Sequence, residues 1–333
     1  MAEKILLAGD IGGTKTTLAL YAAPEGKPVP RREETFASGD YPDLESIVAQ
    51  FLGRGGRVPE SACFGVAGPV IDGRAVITKL PWRMSEQGLA AACGIGKVRL
   101  INDLVATASA LPILAGRDLV TIKEGRAAEN GVVAVIAPGT GLGEAFMIRD
   151  GDRYRPFGSE GGHCDFAPAN ELQLQLLRYM LAGNDHVSFD RLCSGQGIPD
   201  IYRFLLEKEE SGEPDWLKAR RAGAKDEAPV IMEAALAGKA GSGTCRRTLE
   251  IFVSILGSEA GNLALKVLAT GGVYLGGGIP PKILPALQEN IFTAAFTAKG
   301  RLSHVVEKIP VHVILNPKAA LLGAAVYGLK AEG

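Results

Sequence analysis

Two segments rich in glycine and threonine each interrupt an apolar run of the chain. Gly9-Asp10-Ile11-Gly12-Gly13-Thr14 lies between Ile5–Ala8 and Thr16–Tyr21, and Pro138-Gly139-Thr140-Gly141-Leu142-Gly143 lies between Val132–Ala137 and Glu144–Arg149. Each pattern predicts two strands joined by a Gly-rich turn. Because such a turn has few bulky side chains, its backbone N–H groups can bind phosphate oxygens. A plain hairpin turn is the alternative for either segment taken alone.

Several side chains at these turns have the chemistry to bind a nucleotide. Asp10 ends the first predicted strand, where its carboxylate suits a hydrated Mg²⁺. Thr14, Lys15 and Thr140 are predicted phosphate contacts, although Lys15 facing solvent is an equally good alternative.

Two further pairs of polar residues suit work on a substrate hydroxyl. Asn102 and Asp103 follow the predicted strand Val98–Ile101, and a carboxylate placed at a strand end is well positioned to accept a proton. Either residue also suits the N-cap of a helix beginning at Leu104. Glu160 and His163 flank two glycines, so both side chains can face one cleft and hydrogen-bond vicinal hydroxyls; an exposed salt bridge is the alternative.

The composition limits the class of protein. A chain of 333 residues favours two domains. Apolar residues make up 47% and charged residues 22%, which excludes a disordered protein. Lys and Arg total 36 against 37 Asp and Glu, so the near-neutral charge gives no electrostatic case for binding nucleic acid or an anionic membrane.

Cysteine usage and the apolar stretches point to a reducing, aqueous compartment. The five cysteines include no CxxC pair, which supports neither a disulfide framework nor a structural zinc site. The N-terminal residues lack a signal-peptide pattern, and no apolar run is long enough to cross a bilayer. We therefore expect a cytoplasmic protein without a membrane partner.

Some common nucleotide and hydrolase motifs are missing. The sequence contains no GxxxxGK[ST] P-loop and no GxGxxG after a strand. It also lacks the protein-kinase HRD and DFG set and the GxSxG nucleophile elbow. The two Gly-Thr hairpins remain as the candidate phosphate sites.

The elements that must position these residues form a mixed α/β pattern. The two strand–turn–strand units suggest a duplicated architecture with one copy per domain. Charged residues with Gly212 and Pro214 predict a mobile surface insertion over 207–228. The remaining predicted elements are strands at Ser61–Ala67, Gly272–Leu275 and Pro310–Leu315, and helices at Asn170–Leu181, Pro199–Glu209, Ala228–Leu236, Thr244–Leu268, Pro281–Phe296 and Lys318–Lys330.

Taken together, these motifs resemble those of one family. The two Gly-Thr hairpins and a late Gly-Gly-Val-Tyr-Leu-Gly-Gly-Gly-Ile run are similar to the phosphate and adenosine loops of actin-like and hexokinase-like ATPases. Ile101-Asn102-Asp103, Ser159-Glu160-Gly161-Gly162-His163 and Asp165-Phe166-Ala167-Pro168 resemble the sugar-site motifs of bacterial glucokinases. The resemblance extends from Lys4 to Gly328.

The resemblance implies a two-domain actin-like ATPase fold, related to ribonuclease H, with mixed sheets flanked by helices and a cleft between the domains. It implies that ATP, with Mg²⁺, phosphorylates the 6-hydroxyl of glucose. Asp103 would be the general base, and Asn102, Glu160 and His163 would bind sugar hydroxyls together with Asp103. The ATP contacts would be Gly9, Asp10, Ile11, Gly12, Gly13, Thr14, Thr140, Gly141, Gly276, Gly277 and Gly278.

One position departs from the family pattern. A glutamate is expected shortly before Ser194-Gly195, where this chain has Asp190, which is one methylene shorter. Its hydrogen bond to the anomeric end of the sugar would lengthen or pass through water. The selectivity among glucose, mannose and glucosamine is therefore open.

The resemblance also sets the expected domains, assembly and alternatives. The smaller domain would comprise residues 1–105 with 317–333, and the larger one 106–316. A homodimer is implied. Alternatives are a broad-specificity hexokinase, a ROK-type sugar kinase, whose closely spaced cysteines are missing after His163, and a sugar-responsive regulator without catalysis, which Asp103 argues against.

Overall fold

A computed structural model describes residues 4–53, 58–77, 80–208 and 212–330. The strands are β1 (Ile5–Ile11), β2 (Lys15–Ala22), β3 (Val29–Ala37), β4 (Ser61–Val66), β5 (Val70–Ile71), β6 (Arg74–Val76), β7 (Arg83–Ser85), β8 (Lys97–Asn102), β9 (Leu119–Lys123), β10 (Val133–Pro138), β11 (Leu142–Asp150), β12 (Arg153–Ser159), β13 (Gly272–Leu275) and β14 (Val311–Ile314).

Most of the second half of the chain is helical, as predicted. They are α1 (Leu44–Gly53), α2 (Glu86–Cys93), α3 (Asp103–Ala110), α4 (Glu171–Leu181), α5 (Phe189–Leu192), α6 (Gly197–Lys208), α7 (Asp215–Ala222), α8 (Glu227–Ala237), α9 (Gly243–Lys266), α10 (Leu284–Leu287), α11 (Asn290–Thr297), α12 (Ser303–Val306) and α13 (Ala319–Lys330).

The chain divides into two compact units. The first comprises residues 1–116, 150–158 and 316–333, and the second 117–149 and 159–315. The sequence placed the boundary near residue 105, whereas this division keeps the whole of α3 in the first unit and adds the segment 150–158 to it.

The first unit is built on a five-stranded sheet in the order β3-β2-β1-β4-β8. Strand β1 is antiparallel to β2 and parallel to β4. Helix α13 packs on α3 and on β1. A Cβ built on Gly323 of α13 would overlap the carbonyl oxygen of Ala106 in α3, so only glycine allows this approach of the two helices.

The second unit repeats this topology, which agrees with the predicted duplication. Its strands belong to a six-stranded sheet in the order β12-β11-β10-β13-β14-β9, in which β12 to β14 correspond to β3-β2-β1-β4-β8 and β9 is added at the edge. Strand β10 is antiparallel to β11 and parallel to β13, as β1 is to β2 and β4. An apolar core forms between this sheet and helices α4 to α11, with residues such as Phe252 and Phe292 fully buried.

Two predicted segments differ from the structure. Residues 209–211 of the predicted mobile surface insertion lie outside the described residues, and α7, which the sequence did not predict, forms within the remainder. Leu217 is fully buried and anchors α7 to the core. Arg221 forms ion pairs with Glu213 and Glu227, whereas other charged residues of the segment, such as Lys218 and Lys225, are exposed.

The predicted helix over 281–296 is divided. Residues Pro280–Ile283 form a 3₁₀ turn, followed by α10 and α11. Glu289 is extended, with φ −74° and ψ 162°, and separates the two α-helices as the N-cap of α11. Pro285 has no N–H to donate, which limits α-helix propagation through this region.

Candidate active site

The first predicted phosphate loop is the turn between β1 and β2, and the structure confirms the hairpin. The backbone N–H of Gly12 donates to the Lys15 carbonyl at 2.9 Å. Buried Ser38 fixes both sides of the turn, because its hydroxyl donates to the Gly12 carbonyl at 2.8 Å and its N–H donates to the Thr14 carbonyl at 3.0 Å. Thr14 and Lys15 are exposed and Gly13 is partly exposed.

Gly9 and Ile11 belong to the interior of the unit. A Cβ on Gly9 would lie 2.6 Å from Phe64 Cδ1 and 2.9 Å from Leu18 Cδ2, so close packing of β1 explains this glycine. The side chain of Ile11 is fully buried. Any contact of these two residues with a nucleotide is therefore limited to the backbone.

Asp10 lies next to the last residue of β1, between Thr17 of β2 and Gly65 of β4. Burial raises the pKa of its carboxyl from 3.8 to about 6. Because burial is the only cause of this shift, a divalent cation beside Asp10 would favour the charged form and offset the cost of desolvation. This carboxylate therefore fits the predicted Mg²⁺ position.

Asn102 and Asp103 join β8 to α3, and their roles at the helix start differ. Asn102 is the N-cap, since its Oδ1 accepts from the N–H of Leu104 at 2.9 Å and of Val105 at 3.3 Å. Its Nδ2 donates to the Gly68 carbonyl at 3.1 Å. Asp103 Oδ1 also accepts from the Leu104 N–H, at 2.9 Å. The capping alternative thus holds for Asn102 and fixes the backbone from which Asp103 projects.

The second predicted phosphate loop joins β10 to β11 and is held from several sides. The Gly139 N–H donates to the Gly141 carbonyl at 2.8 Å, and the Gly195 N–H donates to the Gly139 carbonyl at 2.8 Å. Thr140 is exposed at the tip of the turn. This loop is therefore held by its own backbone and by the segment that follows Asp190.

The predicted adenosine loop lies against the second phosphate loop. The Gly276 N–H donates to the Ile136 carbonyl at 2.9 Å, and Gly277 has a φ of +82°. A Cβ on Gly277 would overlap the Pro138 carbonyl oxygen. Gly277 and Gly278 are exposed, which leaves their backbone groups accessible to a ligand.

Asp190 contacts the second phosphate loop. Its Oδ1 accepts from the Leu142 N–H at 2.6 Å. One oxygen of this carboxylate is thus committed to the backbone of β11, in a chain where the family pattern expects a longer glutamate for the sugar.

The Glu160–His163 turn lies directly on β11. Residues Gly161–His163 form one 3₁₀ turn. A Cβ on Gly161 would overlap Oε2 of Glu144, and a Cβ on Gly162 would overlap the Leu142 carbonyl oxygen. Both glycines are required by this close approach, which Leu142 and Glu144 make from the same face of the strand.

The same turn is also tied to the segment that carries Asp190. The Phe166 N–H donates to the Val187 carbonyl at 2.9 Å, and the Phe189 N–H donates to the Cys164 carbonyl at 3.2 Å. The Phe166 and Phe189 rings pack edge to face at 5.6 Å. Glu160, His163 and Asp190 are therefore brought together on one framework in the second unit.

Glu160 and His163 present their side chains to solvent. His163 Nε2 lies 4.0 Å from Glu160 Oε2, and the two side chains are 63% and 59% exposed. An exposed pair at this distance adds little to stability. Both groups remain accessible to a hydroxylated ligand.

Sequence reasoning missed the carboxyl groups beneath this turn. Glu144 of β11 and Glu259 of α9 are 1% and 0% exposed. The signal was present, because Glu144 occupies an inward position of a half-buried strand and Glu259 interrupts an apolar helix face.

Comparisons with known proteins show the family to which the chain belongs. The family model described as Glucokinase matches residues 7–331. The chain belongs to the glucokinase family. A curated glucokinase of Trichormus variabilis is 43% identical over 335 residues, covering 97% of this chain and 98% of that protein.

Solved structures support the same fold. A glucokinase from an Antarctic psychrotroph matches with a TM-score of 0.79 and 32% identity, covering 97% of this chain and 98% of that one. A ROK family glucokinase from Streptomyces griseus matches with a TM-score of 0.66 and 21% identity, covering 99% and 100%. The second likeness shows a shared fold alone.

In the described part of the chain, no helix is long and apolar enough to span a membrane.

Proposed function

We propose that this member of the glucokinase family transfers the terminal phosphoryl group of ATP to the 6-hydroxyl of D-glucose, forming glucose 6-phosphate and ADP. The observation that carries the proposal is the Glucokinase family match over residues 7–331. The position of the sugar-site motifs at a strand end and on an accessible turn gives it a physical basis.

Asp103 is the proposed general base. Phosphoryl transfer depends mainly on positioning and charge neutralisation, with a carboxylate to accept the proton of the attacking hydroxyl. The Asn102 cap holds the first turn of α3, and Asp103 is the first residue of that helix. Asn102 itself is proposed to contact the sugar through its amide, which already links the helix to the Gly68 carbonyl.

Glu160 and His163 are the proposed ligands of further sugar hydroxyls. A carboxylate accepts hydrogen bonds and an imidazole can donate or accept, so the pair suits two neighbouring hydroxyls. Their exposure and the fixed turn beneath them support this role. Asp190 is proposed to contact the anomeric end of the sugar, with one oxygen shared with the Leu142 N–H.

The backbone N–H groups of both Gly-Thr turns, with Thr14 and Thr140, are the proposed contacts of the ATP phosphates. Gly276, Gly277 and Gly278 are proposed to contact the adenosine. The Asp10 carboxylate would hold Mg²⁺ through water, since a desolvated carboxylate with a raised pKa is suited to a cation. Bound Mg²⁺ would neutralise charge on the phosphates.

A broad-specificity hexokinase is the second candidate. It is favoured by the short Asp190 side chain, because the Leu142 N–H holds one of its oxygens at 2.6 Å. Recognition of the anomeric end would then be looser than with a longer carboxylate. A cytoplasmic location, suggested by the cysteine usage and the N-terminal sequence, and a homodimer, suggested by the resemblance, complete the proposal. Light scattering of the purified protein tests the dimer.

The function is tested by ADP release from ATP with glucose, mannose, fructose, glucosamine and N-acetylglucosamine as acceptors. Turnover confined to glucose supports the glucokinase proposal, and comparable turnover on several sugars supports the hexokinase. Hexose binding without turnover on any of them would point to a sugar-responsive regulator and refute both kinases.

The role of Asp103 has its own test. Asp103→Asn should leave glucose binding nearly intact, because the amide keeps the size and an acceptor oxygen, and should lower kcat by at least about 10². Isothermal titration with glucose and steady-state ADP release measure the two effects. A kcat near that of the wild type would exclude Asp103 as the base.

A further inference from the structure

Two buried carboxyl groups lie beneath the Gly161–His163 turn, which is called the sugar turn below because Glu160 and His163 are the proposed sugar ligands. Neither carboxyl has a part in the function proposed above. Glu144 and Glu259 are almost completely buried, and their side chains hydrogen-bond to each other. Two carboxylates in contact in an apolar interior cannot both be ionised at low cost, so the pair holds a proton.

The surroundings decide which residue carries the proton. Lys266 Nζ lies 3.0 Å from Glu259 Oε1, and Asn262 Nδ2 donates to Glu259 Oε2 at 2.8 Å. A cation and an amide thus stabilise the charged form of Glu259. Glu144 Oε1 is buried, and within the described structure it has no hydrogen-bond partner, which suits a neutral carboxyl better than a carboxylate.

The electrostatics agree with this assignment. Burial, and then the charge of Glu259, raises the pKa of Glu144, while Lys266 acts in the opposite direction. The pKa of the Cys193 thiol is raised well above its ordinary value by burial, so this neighbour stays neutral. Among the described residues, Glu259 also acts on the pKa of Lys299, while Asp190 acts on that of Cys193 and Cys164 on that of Lys266.

Glu144 also supports the turn above it. A Cβ on Gly161 would overlap Glu144 Oε2 and would lie 3.0 Å from its Cδ, so this carboxyl forms the surface on which Gly161 rests. Glu160 precedes Gly161 and His163 follows two residues later. A change in the position or hydration of the Glu144 carboxyl therefore reaches both proposed sugar ligands.

We propose that Glu144 is a positioning residue of the sugar site: its neutral carboxyl, held by Glu259, supports the Gly161–His163 turn, and its ionisation at alkaline pH weakens glucose binding. The inference rests on the proposed function, because it takes this turn as the sugar turn. Ionisation places a second negative charge beside Glu259, and repulsion and hydration then displace the carboxyl from under Gly161.

The test compares wild-type enzyme with Glu144→Gln from about pH 6.5 to about pH 9, a range that spans ionisation of a raised carboxyl. The glucose Kd is measured by titration calorimetry, and KM and kcat by ADP release. In the wild type, Kd and KM should rise about tenfold toward the alkaline end while kcat changes little. In Glu144→Gln, which keeps the shape and stays neutral, both constants should remain flat.

Glu233→Gln is the matched control. It removes a carboxylate of the same unit that is 62% exposed and paired with Arg220, and it should reproduce the wild-type pH profile. Cys164, His163 and Lys266 are present in every variant, so a difference between Glu144→Gln and the wild type belongs to Glu144.

Three results would overturn the inference: a flat wild-type profile, an alkaline rise that persists in Glu144→Gln, or an effect on kcat alone. If Glu144→Gln does not fold, Glu259→Gln provides the second test. Removing the Glu259 charge leaves Lys266 to favour ionised Glu144, so the rise in glucose Kd should move to lower pH. If the wild-type protein itself releases no ADP with glucose at neutral pH, the proposed function is refuted instead.

Discussion

Gly161→Ala tests whether the proposed sugar turn, Gly161–His163, is fixed by its contact with β11. The new methyl group would overlap Glu144 Oε2 and would lie 3.0 Å from Glu144 Cδ and 3.1 Å from Ser159 Oγ. Glu144 has little room to withdraw, because it is 1% exposed and bonded to Glu259. The turn must therefore move outward by on the order of 1 Å, as overpacked sites do.

The expected loss is large and specific. A misplacement of about 1 Å in a binding group can lower kcat/KM by about 10², and overpacking costs about 1–3 kcal/mol of stability. We expect kcat/KM for glucose to fall by about 10-fold to 10², mainly through KM, while KM for ATP stays within about twofold. ADP release at varied glucose and ATP measures both, and thermal unfolding confirms that the variant is folded.

Two further variants separate the contact from general damage. Adding Glu144→Ala to Gly161→Ala removes the obstacle, so the double variant should bind glucose more tightly than the two single effects predict, with a coupling of about 1 kcal/mol. Gly183→Ala is the control in the same unit, since a Cβ there meets nothing within 4 Å. A Gly161→Ala enzyme with wild-type glucose KM, or strict additivity in the double variant, would refute the reasoning.

The remaining predictions concern two residues proposed to bind the nucleotide and its metal ion, Gly277 and Asp10. Asp10→Asn should stabilise the nucleotide-free protein at about pH 7 by roughly 1–3 kcal/mol and have a much smaller effect near pH 4, because a carboxyl whose pKa rises on folding stabilises the native state below its unfolded pKa and loses this contribution as pH increases through about 6. Thermal unfolding at the two pH values checks this, and an unchanged Tm at the higher one would contradict it. Gly277→Ala should raise KM for ATP by about tenfold or more with glucose Kd unchanged, because the φ of +82° and the Pro138 carbonyl both exclude a side chain. Kinetics with varied ATP decide the matter, and a wild-type KM for ATP would remove Gly277 from the adenosine loop.

The local features of the fold were readable from the sequence. Glycines between apolar runs predicted both hairpins, since a turn without side chains is a short-range property. The helix start at Asn102 and Asp103 was also visible, although only the structure distinguishes the cap from the residue that follows it.

Features that depend on contacts between residues distant in the chain could not be predicted from the sequence. Glu144 and Glu259 are far apart in the chain, and no local pattern states that their side chains meet. The 207–228 segment was misjudged for a related reason. Its charges suggested a mobile surface insertion, but Leu217 is buried in the core and Arg221 forms ion pairs with Glu213 and Glu227.

The packing of α13 on α3 has a consequence for synthesis of the protein. The helix that begins with Asp103 is supported by a helix that begins at Ala319, and Gly323 brings the two backbones into contact. On a ribosome, the first unit therefore lacks a supporting element until α13 itself has been translated. The second unit, whose residues end at Leu315, can complete its core earlier. A nascent chain should thus fold the Gly161–His163 turn before α3, which begins with the proposed base Asp103, is firmly held.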